Sequence, residues 1–83
     1  MDFRQLRYFI QVVELSSITA AAERLNIAQP ALSRVVKALE DELGVSLLRR
    51  HGRGVMPTEE GIRLARRAKA IIEDVVDMAG DIS

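Results

Sequence analysis

Apolar residues recur along this chain at three- and four-residue steps, the period of an α-helix that buries one face. In Asp2–Leu15 the stripe is Phe3, Leu6, Ile10 and Val13, broadened by Phe9 and Val12. Ser16–Ser17 interrupts it, and Ser17 has the short hydroxyl side chain that accepts from the free N–H groups of a first helical turn. The pattern then predicts a short second helix, Ile18–Leu25, whose Ala20, Ala21 and Ala22 let another helix approach closely. Asn26–Ile27–Ala28 makes a tight connection to a third helix over about Gln29–Leu43. Pro30 falls in its first turn, where a missing N–H costs little, and Gly44 suits a left-handed C-cap. Leu32, Val36, Leu39 and Leu43 fall within about 60° of arc on a helical projection and predict its buried face.

Val45–Thr58 breaks the helical period. Leu47–Leu48–Arg49–Arg50 and Gly54–Val55–Met56 flank His51–Gly52–Arg53, whose glycines are available for a turn, and the segment predicts a small β-hairpin. Pro57 closes it. Thr58 can cap a last helix, with Glu59 and Glu60 favourably placed in its first turn. Gly61 costs up to ~1 kcal/mol there relative to alanine, and such a glycine often allows close backbone packing. This helix runs from about Glu59 to at least Ala79. Ala65, Ala68, Ile72, Val75, Ala79 and Ile82 alternate spacings of three and four, and Leu64, Ile71 and Met78 run beside them at intervals of seven. That stripe is wider than one small domain needs. It predicts a homodimer seam along Ala65, Ala68, Ile71, Ile72, Val75 and Ala79.

Composition narrows the class. A chain of 83 residues makes one small domain, and at this size only roughly 60% of the unfolded surface is buried, so association with a second copy is a natural source of stability. There is no cysteine for disulfides, which fits a reducing compartment. Met1–Arg4 lacks the basic cluster and apolar run of a secretory signal, and no stretch approaches the roughly 18 apolar residues of a membrane span. A soluble, cytoplasmic protein is expected. The formal net charge is zero, but all 12 basic residues lie between Arg4 and Lys69, against eight acids in residues 1–70. Glu73, Asp74, Asp77 and Asp81 then fill a tail without a base, so a basic body carries an acidic end.

A short alanine-rich helix, a three-residue turn and a second helix match helix-turn-helix spacing. That motif needs a recognition helix with one face on the body and small or hydrogen-bonding side chains on the other, near its N-terminus, where it enters the major groove. Pro30, Ser33, Arg34 and Lys37 share the face opposite the apolar stripe, with Gln29 at its edge. Gln29 has the geometry to pair with adenine and Arg34 with guanine, Ser33 suits several base edges or a phosphate, and Lys37 is better placed for phosphate. The hairpin adds Arg49, Arg50, His51 and Arg53. Alternation turns Arg49 away from Arg50, leaving Arg50 and Arg53 as candidate backbone or minor-groove contacts. His51 has no Cys or second His beside it to make a metal site, and Glu40–Asp41–Glu42 fan around a helix end as a solvated face. No constellation of catalytic residues and no cofactor motif is present, which leaves a DNA-binding module or a protein-interaction module built on the long helix.

Leu6–Arg7–Tyr8–Phe9, Thr19–Ala20–Ala21–Ala22–Glu23–Arg24–Leu25 and Ala28–Gln29–Pro30–Ala31–Leu32–Ser33 resemble the N-terminal domain of LysR-type transcriptional regulators. So do Leu39–Glu40–Asp41–Glu42–Leu43–Gly44, Leu47–Leu48–Arg49–Arg50 and Thr58–Glu59–Glu60–Gly61. The resemblance implies a mainly α fold: a winged helix-turn-helix over residues 1–58 and a linker helix over 59–83 that pairs antiparallel in a dimer. It implies binding of double-stranded DNA at an inverted-repeat operator, with base contacts at Gln29, Pro30, Ser33 and Arg34 and wing contacts at Arg50 and Arg53. A small-molecule effector is then expected only through a further domain absent from this chain, and the full-length protein is a candidate tetramer. Three positions depart from the family pattern: Ala28 stands for a frequent capping serine, Leu48 for a phenylalanine and Pro57 for a leucine.

Overall fold

Three of the four helix starts in this chain are set by short polar side chains, Asp2, Ser17 and Thr58. In the computed structural model, which describes Met1–Ser83, the helices are α1 (Phe3–Leu15), α2 (Ile18–Leu25), α3 (Gln29–Leu43) and α4 (Glu59–Ile82), with strands β1 (Leu48–His51) and β2 (Gly54–Pro57) between the last two helices. Asp2 lies outside α1, not inside it as the apolar period suggests. Its carboxylate accepts from the Gln5 N–H at 2.8 Å while the Gln5 side-chain oxygen accepts from the Asp2 N–H at 3.1 Å, a reciprocal capping box. Ser17 Oγ accepts from the Ala20 N–H at 3.0 Å, and Thr58 Oγ1 from the Gly61 N–H at 3.0 Å. Ser16, Asn26 and Gly44 end the first three helices in the left-handed conformation.

The core forms where α1 is covered on two sides. Phe9 and Val12 pack with Ile18, Ala21, Ala22, Leu32, Val36 and Leu39 from α2 and α3, joined by Leu47 and Val55 from the hairpin region. Around the same helix, Leu6 and Ile10 close over Ala68 of α4. Burial therefore centres on Leu6, Phe9, Ile10 and Val12. Phe3, which the period places in the stripe, is 46% exposed because it precedes the turn that its neighbours cover. Leu43 is a second correction. It continues the apolar arc of α3 yet is 39% exposed, because the last turn runs past α1 and α2 and opens onto a groove with Met1, Val45 and Ile71.

The hairpin is antiparallel, with Leu48 opposite Pro57, Arg49 opposite Met56, Arg50 opposite Val55 and His51 opposite Gly54. Two of the three departures from the family pattern, Leu48 and Pro57, are thus one cross-strand pair at the hairpin base, and both are half-buried. The hairpin rests on the α1–α2 turn, where the Val55 N–H donates to the Ser16 carbonyl at 3.3 Å. Gly54 has a φ of +145° there, and a Cβ would stand 2.7 Å from that same carbonyl, so only glycine fits.

The first half of α4 packs against α1, with Leu64, Ala65 and Ile72 partly buried around Ala68. Ala68 is 2% exposed, packed under Leu6 and Ile10, and borders the open groove lined by Leu43, Val45 and Ile71. Beyond Ile72 the helix has no cover: Val76, Met78 and Ile82 are exposed, and Val75 is half-buried.

Gly61 is buried where α4 meets the segment leading into β1, and a Cβ there would fall onto the Leu47 carbonyl oxygen and lie 3.3 Å from Pro57 Cβ. Gly61→Ala is expected to cost about 2–3 kcal/mol by displacing that backbone, more than the ~1 kcal/mol alanine gains inside a helix. Thermal unfolding checks this: a melting temperature lower by about 5 °C or more supports the close approach, and an unchanged or higher one contradicts it.

Candidate nucleic-acid interface

Because Leu32, Val36 and Leu39 are buried, α3 must turn its opposite side outward. Gln29, Pro30, Arg34 and Lys37 are exposed there, and Ser33 is half-buried at the boundary. Gln29, Ser33 and Arg34 form no side-chain hydrogen bond within the chain, so their donors and acceptors remain free for a ligand. Lys37 Nζ lies 3.1 Å from Asp41, one turn further on, with both side chains largely exposed. Such surface pairs contribute little and exchange readily for another anion. The start of α3 is also unusual in this chain. Its N-cap Ala28 has extended backbone (φ −70°, ψ 140°) but offers no side-chain acceptor, and Pro30 brings no N–H. The Gln29 N–H is left without a partner at the positive end of the helix.

The wing carries the second basic cluster. Arg49, Arg50, His51 and Arg53 are all exposed, and none of the four forms an ion pair. Cross-strand partners share a face of a hairpin. Since Val55 points inward, Arg50 rises from the body side and Arg49, opposite exposed Met56, from the outer side. The Arg53 N–H donates to His51 Nδ1 at 3.3 Å, which gives this histidine a local role in closing the loop.

Glu40 is the residue that the sequence pattern hides. Read among Glu40–Asp41–Glu42 it belongs to a solvated acidic face, but it is half-buried, and its Oε2 accepts from the Leu47 N–H at 2.8 Å. The Leu48 N–H adds a longer contact at 3.4 Å. Its two neighbours pair with cations instead, Asp41 with Lys37 at 3.1 Å and Glu42 with the N-terminal ammonium at 2.7 Å, so no local pattern singles Glu40 out.

Comparison with known proteins gives a consistent group. Residues 3–62 match the family model described as bacterial regulatory helix-turn-helix protein, lysR family. The nitrogen assimilation regulatory protein nac of Escherichia coli (strain K12) is 53% identical over 72 residues, which cover 87% of this chain and 24% of that protein. The HTH-type transcriptional regulator BenM of Acinetobacter baylyi is 47% identical over 78 residues, covering 94% of this chain and 26% of BenM. The crystal structure of a BenM DBD/catB site 1 DNA complex superposes with a TM-score of 0.92 at 45% identity, over 99% of this chain and 92% of that one. The chain spans about a quarter of the length of the curated relatives it matches.

The uncapped start of α3 generates a test. Ala28→Ser is expected to raise stability by about 1 kcal/mol by giving the first turn a hydroxyl acceptor. Thermal unfolding should then shift upward by roughly 4–8 °C, and no shift or a downward one would mean that this start is already satisfied by other means.

Proposed function

Since the chain belongs to the lysR family of bacterial regulatory helix-turn-helix proteins, we propose that it binds double-stranded DNA sequence-specifically, as a dimer, to regulate transcription. The observation that carries this reading is the outward face of α3, polar and free of internal partners, in a chain whose backbone matches a DNA-bound relative. Gln29, Pro30, Ser33 and Arg34 contact bases in the major groove, Gln29 toward adenine and Arg34 toward guanine. Lys37 exchanges Asp41 for phosphate, and Arg50 and Arg53 hold the backbone or minor groove from the wing. Much of the affinity is then electrostatic and falls steeply with salt.

Residues 1–58 act as the reading head and 59–83 as the pairing helix. Pairing uses the side of α4 that α1 leaves open, chiefly Ile71, Val75 and Ala79, with Ala65, Ala68 and Ile72 at its margin. Charge favours an antiparallel arrangement: Arg63, Arg66, Arg67 and Lys69 occupy the first half of α4 and Glu73, Asp74, Asp77 and Asp81 the second. Twofold symmetry then calls for an inverted-repeat operator. No catalytic role is proposed, and no membrane contact. A cytoplasmic location goes with this reading, because bacterial DNA lies there. An effector, and any tetramer, belong to the part of the relatives' length that this chain does not span.

Gln29→Ala or Arg34→Ala should cost about 1–3 kcal/mol on the preferred site and relax base preference, whereas Arg50→Ala should weaken all sequences alike and reduce the salt slope by about one. Competitive titrations against specific and random duplexes measure both. A footprint unchanged by all three substitutions overturns the assignment in favour of a protein-interaction module. Separately, Ile71→Asp combined with Ala79→Asp, both at exposed positions, should leave a folded monomer by light scattering with much weaker DNA binding. A persistent dimer would put the interface elsewhere.

A further inference from the structure

We infer that Glu40 is a positioning residue for DNA binding: its carboxylate sets the angle of the wing against the recognition helix. This rests on the DNA-binding function proposed above and adds the part that holds its two contact surfaces in register. The geometry is a bracket. On one side, Glu40 Oε2 accepts from the Leu47 N–H at 2.8 Å. On the other, the Thr58 hydroxyl donates to the Ser46 carbonyl at 2.7 Å and the Thr58 N–H donates to the Leu47 carbonyl at 3.0 Å. The residues that enter β1 are thereby held between the last turns of α3 and the cap of α4, with the Leu47 side chain 1% exposed between them.

Three physical points make Glu40 more than another surface acid. A backbone N–H at a buried residue needs a partner, and a carboxylate is a stronger one than a carbonyl. The neighbouring acids have partners of their own, Asp41 the Lys37 ammonium at 3.1 Å and Glu42 the N-terminal ammonium at 2.7 Å, whereas the partners of the Glu40 carboxylate are the backbone N–H groups that lead into the wing. The hairpin also acts as a lever. From Leu48 to Gly52 at the loop is about 13 Å at roughly 3.3 Å per residue, so a 10° rotation at the root would move the tip by about 2 Å, against the resistance of the Val55 N–H to Ser16 carbonyl contact at 3.3 Å opposite Arg50. Arg50 and Arg53 sit on that lever, and a contact surface misplaced by more than about 1 Å is already loose.

The test uses the 83-residue chain with hydroxyl-radical footprinting and affinity titrations on one specific duplex. Glu40→Ala is expected to lower affinity by about tenfold, the scale of one or two lost backbone contacts. Protection under the wing should fade while base preference at the α3 contacts persists. On that background Arg50→Ala should have little further effect, a non-additivity that separates positioning from a general loss of stability. Glu40→Gln keeps an acceptor oxygen and should restore most of the wing protection. Glu40→Asp, too short to reach Leu47, should behave as Glu40→Ala, and it decides the matter if Glu40→Ala does not fold. A folded Glu40→Ala or Glu40→Asp chain that keeps wing protection and the full Arg50→Ala penalty overturns the inference. Failure of the unsubstituted chain to bind any duplex overturns the DNA-binding function itself, a result distinct from the loss of wing protection alone.

Discussion

Phe9 and Val12 bury completely under α2 and α3, while Leu6 and Ile10, further round the same helix, close over Ala68 of α4. This double coverage of α1 is the constraint on which the rest of the molecule hangs. A small chain has little apolar surface to hide, and using one helix for two packing faces joins the helix-turn-helix and the long helix without a second core. The consequence is mechanical. The direction of α4 is tied to that of α3 through α1, so two copies paired along α4 would present their recognition helices at a fixed spacing and orientation.

The hairpin is held in the same way, by backbone contacts at its root and along β2. Ser16 in the α1–α2 turn, Glu40 on α3 and Thr58 at the start of α4 each bond to a backbone group of the hairpin or of the residues that enter it. Gly54 and Gly61 are needed because backbone carbonyls occupy the space a side chain would take. The tip, by contrast, is basic, exposed and free of ion pairs. A firmly held root with an unpaired cationic tip suits a backbone contact that must arrive in register with a neighbouring helix.

What was legible in the sequence was local. Ser17 and Thr58 cap helices, and Gly44 ends one, because capping depends on a few adjacent residues. The outward positions of Gln29, Pro30, Arg34 and Lys37 followed from helical period alone, as did the hairpin from its glycines and loss of period. What was not legible depended on which element covers which. Phe3 and Leu43 extend apolar stripes past the point where another helix lies above them. That Ala68 packs under Leu6 and Ile10 of α1 depends on how α4 lies across α1, which no local pattern encodes. Glu40 looks like its acidic neighbours until the fold brings Leu47 beneath it.

A base-reading helix, a phosphate-holding wing and a pairing helix joined in one small body would make a twofold DNA reader. Selection of bound sequences from a random duplex library by this chain tests it most directly. Enrichment of an inverted repeat is expected, with half-sites separated by about one helical turn of DNA or a multiple of it. Enrichment of a single asymmetric half-site, or of no sequence at all, would contradict it.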